Sequence, residues 1–345
     1  MDSIGGHFVD LNITWFLLIV LLIIIYIVLD GFDLGVGSLY YVLAKNEQEK
    51  RMLIASIGPV WDANEVWLIA AGAALFAAFP LVYTCIFSGL YLPMMFVLVG
   101  LSLRAVAVEF RNHMESLRGV KTFDAMFFSG SFIPALLFGV AIGNISRGLP
   151  LNVSYYYNGT FWDLLNPYAL LFGVVGFFLI LLQGITWILL KTKGLVWQRA
   201  LNLAKPVLLG LLGLIAIATI YTWWAYPEMT SNYRICPILY VNPGLLMAAL
   251  IIVYTAITRK KYRLAFLGSS LVVVGLIFTL AAGLFPALVL VRTPLVDHLT
   301  IYNASSSPLA LKVMLIMTLI GLPLVMVYTV YVYRVFRGKE PGSKS

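Results

Sequence analysis

The chain has 345 residues, 61% of them hydrophobic and only 11% charged, far below the roughly 25% charged residues of ordinary soluble domains; apolar runs longer than 18 residues recur, so it reads as an integral, polytopic membrane protein. The net charge of +8 would suggest anionic or nucleic-acid partners in a soluble protein, but here the basic residues fall in short loops between apolar runs, where they set topology, and no nucleic acid is expected as a partner. No Ser/Gly-rich or acidic linker divides the sequence and no connection exceeds about 20 residues, so residues 1–345 form a single integral membrane domain.

Nine transmembrane helices are expected in an all-α fold, at about 12–43, 52–79, 81–108, 122–145, 164–190, 203–226, 237–257, 264–291 and 309–335. Ahead of the first, Met1 to Asp10 carries no Lys or Arg, which argues against a cleaved signal peptide. The connections alternate in charge. Lys45, Lys50 and Arg51 follow the first span, a bare Phe79-Pro80 the second, Arg111, Arg118 and Lys121 the third, and Arg147 alone the fourth. Lys191, Lys193 and Arg199 come next, then Arg234 alone, then Arg259, Lys260, Lys261 and Arg263, then Arg292 alone, and finally Arg334, Arg337, Lys339 and Lys344. The positive-inside rule therefore puts the N-terminus outside and the C-terminus in the cytoplasm. Cys85 and Cys236 both fall near the outer face; isolated thiols are the favoured reading and a single bridge the alternative.

The informative polar residues lie in the first three spans. Span one contains Asp30-Gly31-Phe32-Asp33-Leu34-Gly35-Val36-Gly37, and span two contains Trp61-Asp62-Ala63-Asn64-Glu65-Val66-Trp67. A charge at the bilayer centre costs at least ~2.5 kcal/mol, so four carboxylates this close need a compensating arrangement or a function. The two spans run in opposite directions, which brings both pairs to a similar depth in the cytoplasmic half. Three-residue spacing puts each pair on one helical face, and Gly31 and Gly35, four apart, allow a neighbouring helix to approach closely.

Span three supplies Arg104 as the counter-ion and Glu109 near its inner end. One guanidinium against four carboxylates leaves a formal charge of about −3, so either a carboxyl holds a proton or a cation sits among Asp30, Asp33 and Glu65. The plainer alternative is that these residues cap broken helices or hydrogen-bond Trp61 and Asn64 without any role in turnover. A second functional class, a proton- or cation-coupled secondary transporter, would use the same carboxylates, with Gly31 and Pro59 as weak signs of broken helices. The histidines, His7, His113 and His298, fall in terminal or loop segments rather than at haem-ligand positions inside the bundle. Met94, Met95, Met247 and Met326 read as packing, and no phosphate-binding loop or His/Cys metal spacing occurs.

Several stretches resemble subunit II of the cytochrome bd-type quinol oxidases: Asp30-Gly-Phe-Asp-Leu-Gly-Val-Gly37, Ser56-Ile-Gly-Pro-Val-Trp-Asp-Ala-Asn-Glu-Val-Trp67, Ala71-Gly-Ala-Ala-Leu-Phe-Ala-Ala-Phe-Pro80, Gly130-Ser-Phe-Ile-Pro134, Gly139 to Gly148, Gln183-Gly184, Phe285-Pro286 and Asn303-Ala-Ser-Ser306. The resemblance covers nearly the whole chain. It implies two four-helix bundles plus a peripheral helix in a prokaryotic cytoplasmic (inner) membrane, and a non-haem role beside a subunit I that carries haem b558, haem b595 and haem d. That partner would oxidise quinol and reduce dioxygen to water, with cytoplasmic protons supplied in part through this subunit. By the same resemblance Asp62 is the proton-path aspartate and Glu109 an acid nearer the entrance, while Asp33 and Arg104 match positions tied to integrity of the haem-containing complex. Asp30, Glu65, Asn64 and Trp61 complete the structural charge cluster. A small single-helix accessory subunit, membrane lipids and a structural quinone or lipid are further candidate partners; this chain itself is expected to bind no haem. Ala63 stands where many members have Gly, and Glu109 where Asp is common.

Overall fold

The computed structural model describes residues 10–294 and 296–336; His7, Arg337, Lys339 and Lys344 lie outside the described residues. Among the described residues, eight helical stretches are long and apolar enough to cross a membrane: Leu11–Ser38, Tyr91–His113, Leu117–Arg147, Pro167–Lys191, Gly194–Ala225, Pro237–Thr258, Tyr262–Leu284 and Pro308–Val335. The first is interrupted, as α1 (Leu11–Leu29) and α2 (Gly31–Ser38), and the short α3 (Tyr40–Leu43) follows it. Asp10 caps it, its side chain accepting from the backbone N–H groups of Asn12 and Ile13.

The second expected span, 52–79, is instead two helices, α4 (Glu47–Ile57) and α5 (Trp61–Ala78), with a break over 58–60. The polar first turns of α5, with Asp62, Asn64 and Glu65, keep it from standing out by composition. The third, 81–108, divides at Leu90 into α6 (Pro80–Gly89) and α7 (Tyr91–Phe110). The remainder follows the expected order: α8 (Leu117–Arg147), α9 (Pro167–Lys191), α10 (Gly194–Ala225), a short α11 (Glu228–Ile235), α12 (Val241–Thr258), α13 (Tyr262–Leu284) and α14 (Pro308–Val335). Between α13 and α14 the chain forms a two-stranded antiparallel ribbon, β1 (Ala287–Val289) with β2 (Leu299–Thr300). No strand was expected there, because two and three residues are too few to show an alternating pattern.

Small residues set the helix contacts at the centre. A Cβ on Gly35 would strike the Ile180 carbonyl and come within 2.8 Å of Gly184 Cα, so α2 and α9 touch backbone to backbone. On the other side Gly37 meets Ser131 of α8. Gly100 of α7 lies against Pro134 of α8, and a Cβ on Gly130 would sit 2.7 Å from the Arg104 backbone nitrogen. Phe32 then stacks on Trp187 of α9, ring centroids 3.9 Å apart, and the Trp187 indole donates to the Ser56 carbonyl. This packing buries the whole of α2.

The helix α14 is different. Few of its side chains are buried, and it is tethered by polar contacts near both ends: Trp15 Nε1 donates to Leu311 O at 3.0 Å, Ser306 N to Ala78 O at 2.8 Å, Tyr333 Oη to Asn64 Oδ1 at 2.9 Å and Lys191 Nζ to Phe336 O at 2.7 Å. An apolar cavity of about 550 Å³ lies between α1, α2, α8, α9, α10, α12 and α13, walled by Ile27, Leu34, Phe138, Phe172, Leu212 and Leu276 among others. Cys85 is buried and Cys236 exposed, and both are free thiols, so the bridge kept open as an alternative is not made.

Candidate functional site

The helix break at Asp30 places the first carboxylate. Asp30 ends α1 and begins α2 with its backbone still right-handed helical (φ −85°, ψ −21°), and its side chain makes no capping bond, which leaves the carboxylate free to turn to a neighbour. Arg104 meets it there: Nη2 lies 2.7 Å from Asp30 Oδ1 and 2.5 Å from Glu65 Oε1. The approach of α7 to α8 at Gly100 and Gly130 brings Arg104 to this place. Asp30 and Arg104 are wholly buried, whereas the Glu65 side chain keeps 25% of its surface exposed.

Asp33, three residues on, belongs to a second arm. Asn64 Nδ2 donates to Asp33 Oδ2 at 2.8 Å and to the Leu29 carbonyl at 3.0 Å, while Asn64 Oδ1 accepts from Tyr333. One amide thus ties the first helix, α5 and α14 together. Asp33 Oδ1, Arg104 Nε and Nη1 and the Tyr26 hydroxyl are buried without a hydrogen-bond partner among the described residues, so the cluster retains donors and acceptors that water can satisfy. Arg104 is the base that stands among these acids, and among the described residues no three acidic, His or Cys side chains are spaced to share a metal ion.

Asp62 and Glu109 are not part of this sealed cluster. Both are exposed on the surface of the chain, and they are linked through Trp61, whose indole Nε1 donates to Glu109 Oε1 at 3.2 Å. The residue order along α5 therefore runs from a contact with Glu109, through exposed Asp62, to half-buried Glu65 and the Arg104 guanidinium. The structure brings together Asp30, Asp33, Asn64, Glu65 and Arg104 as one buried group, and Trp61, Asp62 and Glu109 as an adjoining surface group.

A third group escaped the sequence reading. Arg111, 1% exposed, donates from Nε to Asp124 Oδ1 at 2.6 Å and from Nη1 and Nη2 to the two Glu47 oxygens at 2.8 and 3.0 Å. Lys50 and the Tyr40 hydroxyl also bind Asp124, at 2.5 and 2.6 Å. Nearby, Arg199 bridges the Leu43 carbonyl and Glu49. These basic residues signalled topology in the sequence, but nothing local marked Asp124 as their partner: it lies 74 residues from Lys50 and 84 from Tyr40. The Arg111 guanidinium holds the Glu47 carboxyl below its ordinary value, with Arg51 adding to the effect. Of the described histidines, His113 is exposed in the single turn that ends the Tyr91–His113 stretch and His298 lies in the connection before α14.

Fold and site together define a class: a polytopic helical membrane protein with a buried, interhelical carboxylate–guanidinium cluster opening toward surface carboxylates. A family model for cytochrome bd terminal oxidase subunit II matches residues 11–336. The chain is 35% identical to "Cytochrome bd-I ubiquinol oxidase subunit 2" of Escherichia coli K12, over 94% of this chain and 93% of that one. It is 34% identical to "Cytochrome bd ubiquinol oxidase subunit 2" of Bacillus subtilis 168, over 96% and 98%. The bd oxidase from Geobacillus thermodenitrificans shares the fold, with a TM-score of 0.78 at 16% identity over 95% of this chain and 99% of that one. The chain belongs to the cytochrome bd terminal oxidase subunit II family. It is accordingly a subunit of a respiratory-chain quinol oxidase and a multi-pass protein of the bacterial inner membrane.

Proposed function

We propose that this chain is the non-haem subunit of a proton-motive, bd-type quinol:oxygen oxidoreductase, stabilising a haem-bearing subunit I and carrying cytoplasmic protons toward it for the reduction of dioxygen to water. In this reading the chain crosses the membrane nine times, counting Trp61–Ala78, as two four-helix bundles and a peripheral helix. The N-terminus is outside, and the basic end that holds Arg111, Lys50 and Arg199 faces the cytoplasm. Haem b558, haem b595 and haem d belong to the partner. The exposed place of His113 at the very end of its helical stretch, and of His298 in a connection, supports that division, since a haem of this kind takes its axial ligands within a bundle. The apolar cavity beside Ile27 and Leu34 has the size and lining for a structural quinone or lipid, and a small accessory subunit would complete the assembly.

One observation carries the proton path: Trp61 holds Glu109 against the first turn of α5, where Asp62 is exposed, three residues before Glu65 of the cluster that buries Asp30 and Arg104. Glu109 can take up a proton at the cytoplasmic side and Asp62 can receive it and present it to the surface that a partner covers. Arg104 fixes Glu65, and Asn64 fixes Asp33, so the path is lined by groups whose positions do not drift. The secondary-transporter reading is not favoured by the family match.

Asp62→Asn and Glu109→Gln are the test. Each is expected to lower oxygen consumption of the purified oxidase by roughly a hundredfold, the lower end of what a positioned acid or base contributes, while the haem absorbance per protein stays at the wild-type value. Wild-type turnover in both variants, with haem retained, would leave only the stabilising role.

A further inference from the structure

At the end of the bundle opposite Arg111, two arginines that stand alone in their own connections meet in one pocket. Arg147 ends α8 and Arg292 follows β1, far apart in sequence, yet both line a polar cavity of about 370 Å³ together with Asn144, Tyr157, Asn158 and Asp163. The backbone builds the pocket. Leu149 N donates to Leu290 O at 2.9 Å and Arg292 N to Leu149 O at 3.1 Å, and Gly148 adopts φ +96°, a conformation that glycine accepts without strain. A Cβ at Gly148 would come within 2.9 Å of Arg292 Cγ, so the glycine also makes room for the arginine stem.

The polar groups around the pocket are mostly spoken for, and the guanidinia are not. Asn144 spends its amide on Val140 O and Leu164 O and its oxygen on Asn166. Tyr157 donates to Thr160 O. Asp163 is the pocket's carboxylate, and its Oδ2 accepts from both the backbone and the hydroxyl of Thr160, at 2.7 and 2.9 Å. Those bonds, helped by the charges of Arg147 and Arg292, hold the Asp163 carboxyl below its ordinary value. Arg147 makes one long bond, from Nη1 to the Asp163 carbonyl at 3.3 Å. Among the described residues neither arginine has a carboxylate at ion-pairing distance. Two guanidinia facing one carboxylate leave the pocket formally positive, with donors suited to the paired oxygens of a phosphate.

The surroundings fit the membrane–water boundary. Trp162 is 76% exposed and Tyr156 58% exposed on the same connection, and such aromatic residues gather at the headgroup level. We propose that Arg147 and Arg292 form a binding site for a phosphate anion at the outer face of this subunit, filled in the membrane by the headgroup of an anionic phospholipid. A phosphodiester there would neutralise the surplus charge, and its acyl chains would run down the apolar surface below Trp162. The site stands apart from the carboxylates of α2 and α5, so it does not depend on the proton path.

The test uses the intact purified oxidase and the variants Arg292→Gln and Arg147→Gln/Arg292→Gln, with haem absorbance per protein as the check on assembly. Arg292→Gln leaves the backbone bond to Leu149 in place, which keeps one variant foldable. Complexes are taken from nanodiscs of phosphatidylglycerol or phosphatidylcholine and the retained lipids counted by native mass spectrometry. Wild type is expected to keep one more phosphatidylglycerol per complex than either variant, and no additional phosphatidylcholine. In lipid-depleted detergent, inorganic phosphate alone is the second probe: a melting-temperature rise in wild type that is at least tenfold less sensitive to phosphate in the double variant, without a difference in retained lipid, assigns the site to a free anion. Equal lipid counts and equal phosphate responses in wild type and variants would overturn the proposal, and a uniform loss of melting temperature alone would reduce the arginines to a strap between loops.

Discussion

Arg104 and Asn64 are the two residues on which the buried site turns. Removing the guanidinium by Arg104→Met leaves Asp30 as an uncompensated buried charge, a change that costs about 3–5 kcal/mol in buried pairs. The expected outcome is loss of the assembled oxidase, read as haem recovered per protein after purification. Tyr333→Phe is milder, since it leaves one acceptor of Asn64 unsatisfied at ~1–3 kcal/mol, and should lower the melting temperature of the complex while oxygen consumption persists. At the basic end, Glu47 gives a pH signature. Its carboxyl binds a proton less readily in the folded protein than in the unfolded chain, so its contribution is full above the ordinary value of 4.5 and fades as pH falls through the lower, folded value. Glu47→Gln should therefore melt below wild type at neutral pH, and the difference should shrink toward zero on acidification.

The helices carry information of a different kind, in their closest approaches. Gly35 and Gly184 face each other backbone to backbone, so Gly35→Ala or Gly184→Ala must push α2 away from α9 and disturb Asp33 two residues from the contact. Gly72 in α5 has nothing within 4 Å of a built Cβ, and Gly72→Ala should match wild type in haem content and turnover, making it the control for the other two. The Gly31/Gly35 pair was legible as a tight-contact signal, but the structure uses Gly35 against the neighbouring helix, while Gly31 has only Ile27 and Ile180 side chains at ordinary distance. The breaks at Asp30 and at 58–60 had only the weak signs of Gly31 and Pro59, and the one at Leu90 had none, because hydrophobicity reports where a chain is apolar and not where its hydrogen bonds change register. The pairing of Arg104 with Asp30 and Glu65 could be argued from depth and charge alone; Tyr333 could not, being 269 residues from Asn64 with nothing in its own span to mark it.

For the whole molecule, the distribution of charge is the guide. The basic loops gather at one end and tie themselves to Glu47, Glu49 and Asp124, whereas the opposite end carries sparse arginines, a β-ribbon and the connection bearing Trp162. The alternating loop charges were enough to propose an orientation, and Cys236 offers a direct check on it. This thiol is exposed near the β-ribbon end while Cys85 is buried. A membrane-impermeant thiol reagent added to intact spheroplasts is expected to modify Cys236 and spare Cys85; labelling only after the membrane is opened would reverse the topology.

The single nitrogen of Arg104 that touches both Asp30 and Glu65 also bears on how the chain enters the bilayer. Synthesis delivers Asp30 first, then Glu65, and the arginine only 39 residues after Glu65. Until α7 emerges, Asp30 and Glu65 lack the base that they share in the folded subunit. We therefore expect α5, with its polar first turns, to be retained beside the insertion machinery until the arginine arrives. A nascent chain halted before Arg104 should remain cross-linkable to that machinery, and one halted after α7 should be released.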